Sequence, residues 1–206
     1  MAHYSPAMRK PDQIAVDRAL LVYMLCQVES LDRARDDAQD DQPPTLMNDV
    51  KLQQLAFLSA LQMFNKGVKG FHGEFFRYAY GAFSKDLDND LMSLRHKGRV
   101  ANFNVAKEAQ AVVPLLRESS KDIEPNTQAL NILEAVVAHY SPQDTGAITN
   151  SVEVVELSTP ERPDFKLGIR DISFHTILLV PHRIEVPHEF TVPPVVLAKL
   201  NAAMGY

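Results

Sequence analysis

Apolar residues recur at near-helical spacing from Ile14 to about Asp32, through Ala15, Ala19, Val22 and Cys26, and predict a first helix packed on its neighbours. Residues 1–12 ahead of it read as a flexible tail. "DRARDDAQDDQPPT" then loses the periodicity and fills with acids and a Pro-Pro pair, which predicts a solvated, mobile connection. The next run, "LMNDVKLQQLAFLSALQMF", places Val50, Leu52, Leu55, Phe57, Leu58, Leu61 and Phe64 on nearly every side of a helix. A helix that is apolar all round belongs at the centre of a bundle.

Beyond Gly67 and Gly70 the chain reads "FFRYAYGAFSKDLDNDLMSLRHKGRV", residues 75–100. The aromatic first half looks like a corner turned at Gly81, with no reacting group in it. The second half carries a full set of helix signals. Ser84 is a good N-cap, Asp86 and Asp88 lie near the first turn, and Arg95, His96 and Lys97 lie in the last. Gly98 is placed for a left-handed C-cap. Leu87, Leu91 and Leu94 fall at i, i+4 and i+7 and predict one buried stripe, with Lys85, Asp88 and Asn89 able to face water.

"NVAKEAQAVVPLLRES", "NTQALNILEAVVAHY" and "TGAITNSVEVVEL" extend the helical pattern, with Pro114 expected to kink or divide the first. The texture changes at Pro160. From there to Pro194 the chain holds six of its 13 prolines and the β-branched runs "KLGIRDI", "TILLV" and "RIEV". These predict an extended segment or small hairpin with Ile169, Ile172, Leu178 and Val180 turned onto the body, closed by a short helix near Val195 to Ala203. The resulting expectation is a mainly α protein. It divides into a flexible tail at 1–12, a compact helical bundle at 13–158, and a small β or extended C-terminal appendage at 159–206 belonging to the same globule.

Composition changes this picture only where it removes function classes. A 206-residue chain with 46% hydrophobic residues can bury a real core as one domain. A net charge of −5 disfavours broad attraction to phosphate backbones and leaves basic protein partners open. Cys26 is the only cysteine, so no disulfide framework exists, and its apolar setting predicts a core residue. The first residues lack an apolar signal core, and no apolar run approaches the ~20 residues of a membrane span, which places the protein in the cytoplasm.

The seven histidines fall in no ligand array and no metal site is expected. "VPHRIEVPHEF" would put its two Pro-His pairs loosely on a surface. No Gly-rich phosphate loop, nucleophile elbow or carboxylate pair can be assembled, so neither an enzyme nor a cofactor is expected. The helix at 84–98 followed by "GRVANFNV" could be the second helix and wing of a winged-helix regulator, with "RHKGR" on phosphate. Asp86, Asp88 and Asp90 on its exposed face would repel DNA if that helix entered a groove, and the terminal arginine and lysine are explained by the helix dipole, so nucleic acid is not expected as a partner.

Two motifs carry a resemblance. Lys51, Leu52 and Gln53 open the apolar helix, and some 20 residues later come Tyr80, Gly81, Phe83, Ser84, Leu87, Leu91, Leu94, Gly98 and Val100. This combination, over residues 14 to 105, resembles the Panacea domain of SocA-like antitoxins. That family reads Lys-Leu-Gln before an apolar helix, then an aromatic approach to Tyr-Gly-Pro and a helix ending in Gly plus an aliphatic residue. Here Ala82 stands at the usual proline position, and no tryptophan precedes the turn. The resemblance implies a non-catalytic helical protein that neutralises a toxin made beside it, by direct binding or by delivering it to a protease. The residues themselves favour the binding half, since aromatics and arginine beside a tight turn are the types that anchor interfaces. Arg77, Tyr78, Tyr80 and Phe83 are the partner-binding candidates. A winged-helix transcriptional regulator, or a phage-associated adaptor without a toxin, is the alternative.

Overall fold

The first helix is buried on every side through its middle, from Ala19 to Cys26, with the third, fourth, fifth and seventh helices packed on it. A computed structural model describes residues 8–37, 45–159 and 161–206. In it α1 (Pro11–Asp37) and α2 (Asp49–Asn65) carry the core. Leu20, Val22, Tyr23 and Met24 of α1 and Leu55, Phe57 and Ala60 of α2 are fully buried. At ~1.5–3 kcal/mol for each large apolar side chain removed from water, these two helices supply the dominant stabilisation. Cys26 lies in the same core, and burial pushes its thiol pKa up to about 12.

Four further helices surround this pair in chain order: α3 (Lys85–His96), α4 (Val112–Ser120), α5 (Glu124–Tyr140) and α6 (Thr145–Glu153). A terminal helix, α7 (Pro194–Met204), packs on α1 and α4. Among the described residues nine short strands lie around them. β1 (Val68–Lys69) pairs in parallel with β9 (His188–Glu189). β2 (Phe75–Tyr78), β3 (Gly81–Phe83) and β8 (Ile177–Leu179) form an antiparallel sheet in the order β3-β2-β8. β4 (Val100–Ala101) and β5 (Asn104–Val105) make a tiny hairpin, and β6 (Glu156–Thr159) and β7 (Arg162–Gly168) a longer one.

This architecture corrects the expected compact helical bundle. Among the described residues 57% are helical and 15% lie in strands, in several small sheets, so the fold is mixed α and β. Such small ribbons are marginal alone and hold only by leaning on helices. The strand-forming residues at 75–83 escape a simple alternation rule because Arg77, a charged residue, occupies an inward position between buried Phe75 and exposed Tyr78.

Other boundaries move for local reasons. The predicted helix from Asn104 begins instead as β5, and a helical turn at Ala109–Ala111 leads into α4. Pro114 falls in the first turn of α4, where no intrahelical bond needs its missing N–H, so it neither kinks nor divides a helix. "TGAITNSVEVVEL" splits into α6 and the start of β6. "KLGIRDI" is strand only to Gly168, "TILLV" supplies β8, and "RIEV" forms no strand.

The expected mobile connection at 32–45 is helical to Asp37, and its stretch 38–44 lies outside the described residues. At its far end Thr45 gives both its N–H and its hydroxyl to Asp32. Of the expected tail, residues 1–7 also lie outside the described residues, while Pro11 already opens α1 and Arg9 is tied into the interior. The C-terminal segment is woven in, since β8 completes the aromatic sheet and β9 the parallel pair.

Candidate protein-binding groove

The two motifs of the sequence meet in space, and two adjacent glutamines join them. Gln53 Nε2 donates to the Ser84 carbonyl (3.1 Å) while its Oε1 accepts the Ser84 N–H (2.9 Å). Gln54 Nε2 donates to the carbonyls of Tyr80 (2.7 Å) and Ala82 (3.1 Å), and its Oε1 accepts the Ala82 N–H (3.2 Å). Buried backbone groups that would be costly unpaired are thus satisfied by side chains of α2, which fixes the β2–β3 hairpin on the helix. A proline at position 82 would have no N–H to give Gln54, so the alanine is used here as a donor site.

The hairpin turns at Ala79 and Tyr80, between the paired residues Tyr78 and Gly81. Gly81 has φ +97°, and a Cβ there would stand 2.6 Å from Gln54 Oε1 and 3.2 Å from Val152. Backbone conformation and close approach together require glycine. Ser84 then caps α3 by accepting the Leu87 N–H, and Leu87, Leu91 and Leu94 are buried as one stripe. At the far end Gly98 (φ +66°) closes a Schellman motif, with Arg99 N–H bonded to the Leu94 carbonyl and Gly98 N–H to that of Arg95.

Between the hairpin and the first turns of α2 lies an open groove of about 210 Å³, walled by Val50, Tyr78, Tyr80, Ala82 and Phe83, with Asp49 at its rim and the two glutamines as floor. Small-molecule sites run to roughly 300–1,000 Å³, so this space suits one or two apolar side chains. Tyr80 is 60% exposed and Tyr78 47%, while Phe83 is half-buried and packs on the Tyr78 ring at 5.4 Å. His175 meets the same tyrosine edge-on at 5.8 Å, and Phe174 is exposed. The structure therefore brings Tyr78, Tyr80 and Phe83 together on one surface.

Arg77 does not join them. Its side chain points inward, where Nε donates to the Ile169 carbonyl (3.0 Å), Nη1 to the Tyr78 carbonyl, and Nη2 to Glu153 (2.9 Å). It braces the hairpin against α6 and the segment after β7. Lys51 and Leu52 are buried in α2 and also act through the fold.

Asp90 departs from expectation as well. It is 1% exposed and accepts Arg9 Nη1 (2.6 Å) and Arg18 Nε (2.9 Å), so it is no part of an acidic outer face. The basic end of α3 is likewise engaged: Arg95 pairs with Asp49 (3.0 Å) and lies over Phe103, and Arg99 approaches Glu108 (3.7 Å).

The sequence reading missed a buried ionic cluster on the other side of α1. Asp17, wholly buried, accepts the His72 backbone N–H, His72 Nδ1 (2.7 Å) and Arg9 Nη1 (2.7 Å). The opposite ring nitrogen of His72 meets Glu189 Oε1 at 3.0 Å. Carboxylates accept only, so both ring nitrogens must donate, and that is the imidazolium form. Burial alone would lower the His72 pKa, but the hydrogen bond and charge of Asp17, with Glu189 behind them, raise it above its ordinary value. Burial would raise the Glu189 pKa, and its bonds to Gln13 and His72 outweigh that and lower it.

The only hint in the sequence was an aspartate at position 17 inside an apolar helical stripe. Among the described residues no group of three or more His, Cys, Asp and Glu side chains is arranged to hold a metal ion, and no helix is long and apolar enough to cross a membrane. Comparison of the chain with protein-family models, with curated proteins and with solved structures gave no match, and the resemblance to the Panacea domain rests on the two motifs alone.

Proposed function

We propose that this protein is an antitoxin acting in the cytoplasm, which neutralises a toxin made beside it by stoichiometric binding, and that the groove between α2 and the β2–β3 hairpin receives the toxin. The observation that supports this reading is the pairing of exposed aromatic side chains with a backbone held from behind. Tyr78 and Tyr80 are open to solvent while the Tyr80 and Ala82 carbonyls are tied to Gln54 and the Tyr78 carbonyl to Arg77. Aromatic side chains on a preorganised frame bind at low entropic cost, which is the arrangement found at interface hot spots. Of the two motifs, Gln53, Gly81 and Ser84 hold the hairpin on α2, and Tyr80 and Phe83 line the groove.

Co-expression tests the proposal. The open reading frame beside this gene should arrest growth when expressed alone, be tolerated when this protein is co-expressed, and co-purify with it at fixed stoichiometry. A neighbour that is harmless alone and does not bind would overturn the antitoxin reading.

A further inference from the structure

The turn that leads into β8 holds a backbone conformation that most side chains resist. His175 has φ +65°, in the left-handed region where glycine or asparagine is the low-cost residue. Residues 173–176 are exposed, so burial does not select an imidazole there. Among the described residues the His175 ring forms no hydrogen bond or ion pair, and the ring it meets is Tyr78, edge-on at 5.8 Å. An aromatic ring is thus kept in an unfavourable backbone position beside one exposed tyrosine of the groove.

The frame around the turn fixes where that ring stands. His175 donates its N–H to the Arg77 carbonyl (2.7 Å), and Arg77 donates its own N–H to the Thr176 carbonyl (2.7 Å). The Thr176 N–H closes the turn onto the Ser173 carbonyl (3.2 Å), and the Phe174 ring lies over the Arg77 guanidinium at 5.1 Å. Arg77 is itself buried and bonded to Ile169 and Glu153, so the turn is tied to a fixed point. Tyr78 follows Arg77 on β2, which has β3 on one side and β8 on the other. Its ring accordingly meets Phe83 from β3 at 5.4 Å and His175 from the turn before β8.

We propose that His175 is a positioning residue of the toxin site: with Phe83 it holds the Tyr78 ring in place as a wall of the groove before the partner arrives. This inference rests on the toxin-binding reading of the groove. An exposed tyrosine samples several rotamers and loses that freedom on binding, a cost that weakens affinity. A ring packed from both sides has already given it up. If the histidine served the turn alone, asparagine would replace it without loss, since asparagine visits the left-handed region readily. If its ring serves Tyr78, another planar ring can replace it and asparagine cannot.

His175→Asn, His175→Gly and His175→Phe separate the two roles. The asparagine and glycine variants should melt within about 3 °C of wild type, because the position is exposed and both residues suit its backbone. In protein labelled at its tyrosine rings, with Tyr78→Phe to assign the signal, the Tyr78 ring resonances should move in these two variants and stay near their wild-type positions in His175→Phe. Binding to the product of the neighbouring gene, measured by calorimetry, should weaken about fivefold in the first two with a less favourable entropy, and return toward wild type in the third. A neighbour that binds the asparagine and glycine variants as tightly as wild type would overturn this inference and leave the antitoxin reading standing. Tyr78 resonances that do not move in them, or a folded His175→Phe that binds as poorly as His175→Asn, would overturn it equally. A neighbour that wild type itself does not bind would overturn both.

Discussion

The groove at the β2–β3 hairpin and the ionic cluster behind α1 are both held by dense hydrogen bonding, but they spend it differently. At the groove, neutral amides of Gln53 and Gln54 satisfy the backbone, and the aromatic side chains are left over for solvent or a partner. At the cluster, the charged side chains are consumed by one another: Arg9 and His72 share Asp17, and Arg9 and Arg18 share Asp90. Polar groups held beneath exposed aromatics suit the binding role proposed for the groove. Charges turned inward onto each other make a joint between α1, α3, the loop before β2 and the strand β9.

The contrast is broken most severely from the joint. Asp17→Ala should destabilise the fold by about 3–5 kcal/mol, because it strands Arg9 and His72 in a buried site, as removal of one partner from a buried ionic group does. Urea denaturation measures it, and a loss below about 1 kcal/mol would show that the cluster contributes little. Next in size is Gly81→Val, expected to cost about 3 kcal/mol from a positive φ and the close approach of Gln54. Its unfolding midpoint checks this, and Gly81→Ala should be disturbed in the same direction but less.

A pH series separates the two regions more finely. Because the His72 pKa is raised in the folded protein, its stabilisation is fully present below the unfolded value of ~6.5 and is lost as pH rises through the higher folded value. The lowered pKa of Glu189 adds stability that is lost at the other end, as pH falls through that lowered value. The joint should therefore be tightest at mildly acidic pH. Melting temperature should decline on the alkaline side for wild type and be flatter there for His72→Gln, with the groove variants following wild type. A His72→Gln profile parallel to wild type would show that the histidine is not the titrating strut.

How much of each region could be read from the sequence follows from the distance over which its signals act. The cap at Ser84, the stripe of Leu87, Leu91 and Leu94, and the left-handed turn at Gly98 are local, and the structure contains all three. The apolar girth of α2 likewise identified a central helix. The mixture of strands and helices was not legible, because β1 with β9 and β2 with β8 pair segments about a hundred or more residues apart, and β1 and β9 are each two residues long. No periodicity can be read in two residues.

At the site, Tyr78, Tyr80 and Phe83 were expected together and stand together, whereas Arg77, grouped with them by sequence, is buried. A charged residue inside an aromatic run gives no sign of which way it points. Asp90 shows the same limit, since its acceptors' partners, Arg9 and Arg18, lie more than 70 residues away.

The central claim is that Tyr80 serves a partner and contributes little to the fold. Its most direct test is Tyr80→Ala, with unfolding free energy and binding to the co-expressed neighbour measured on the same preparation. The account predicts stability within about 0.5 kcal/mol of wild type, as for exposed positions, and binding weakened by about 2 kcal/mol, or roughly thirtyfold, with loss of protection in cells. A folded Tyr80→Ala protein that binds and protects as wild type does would contradict it.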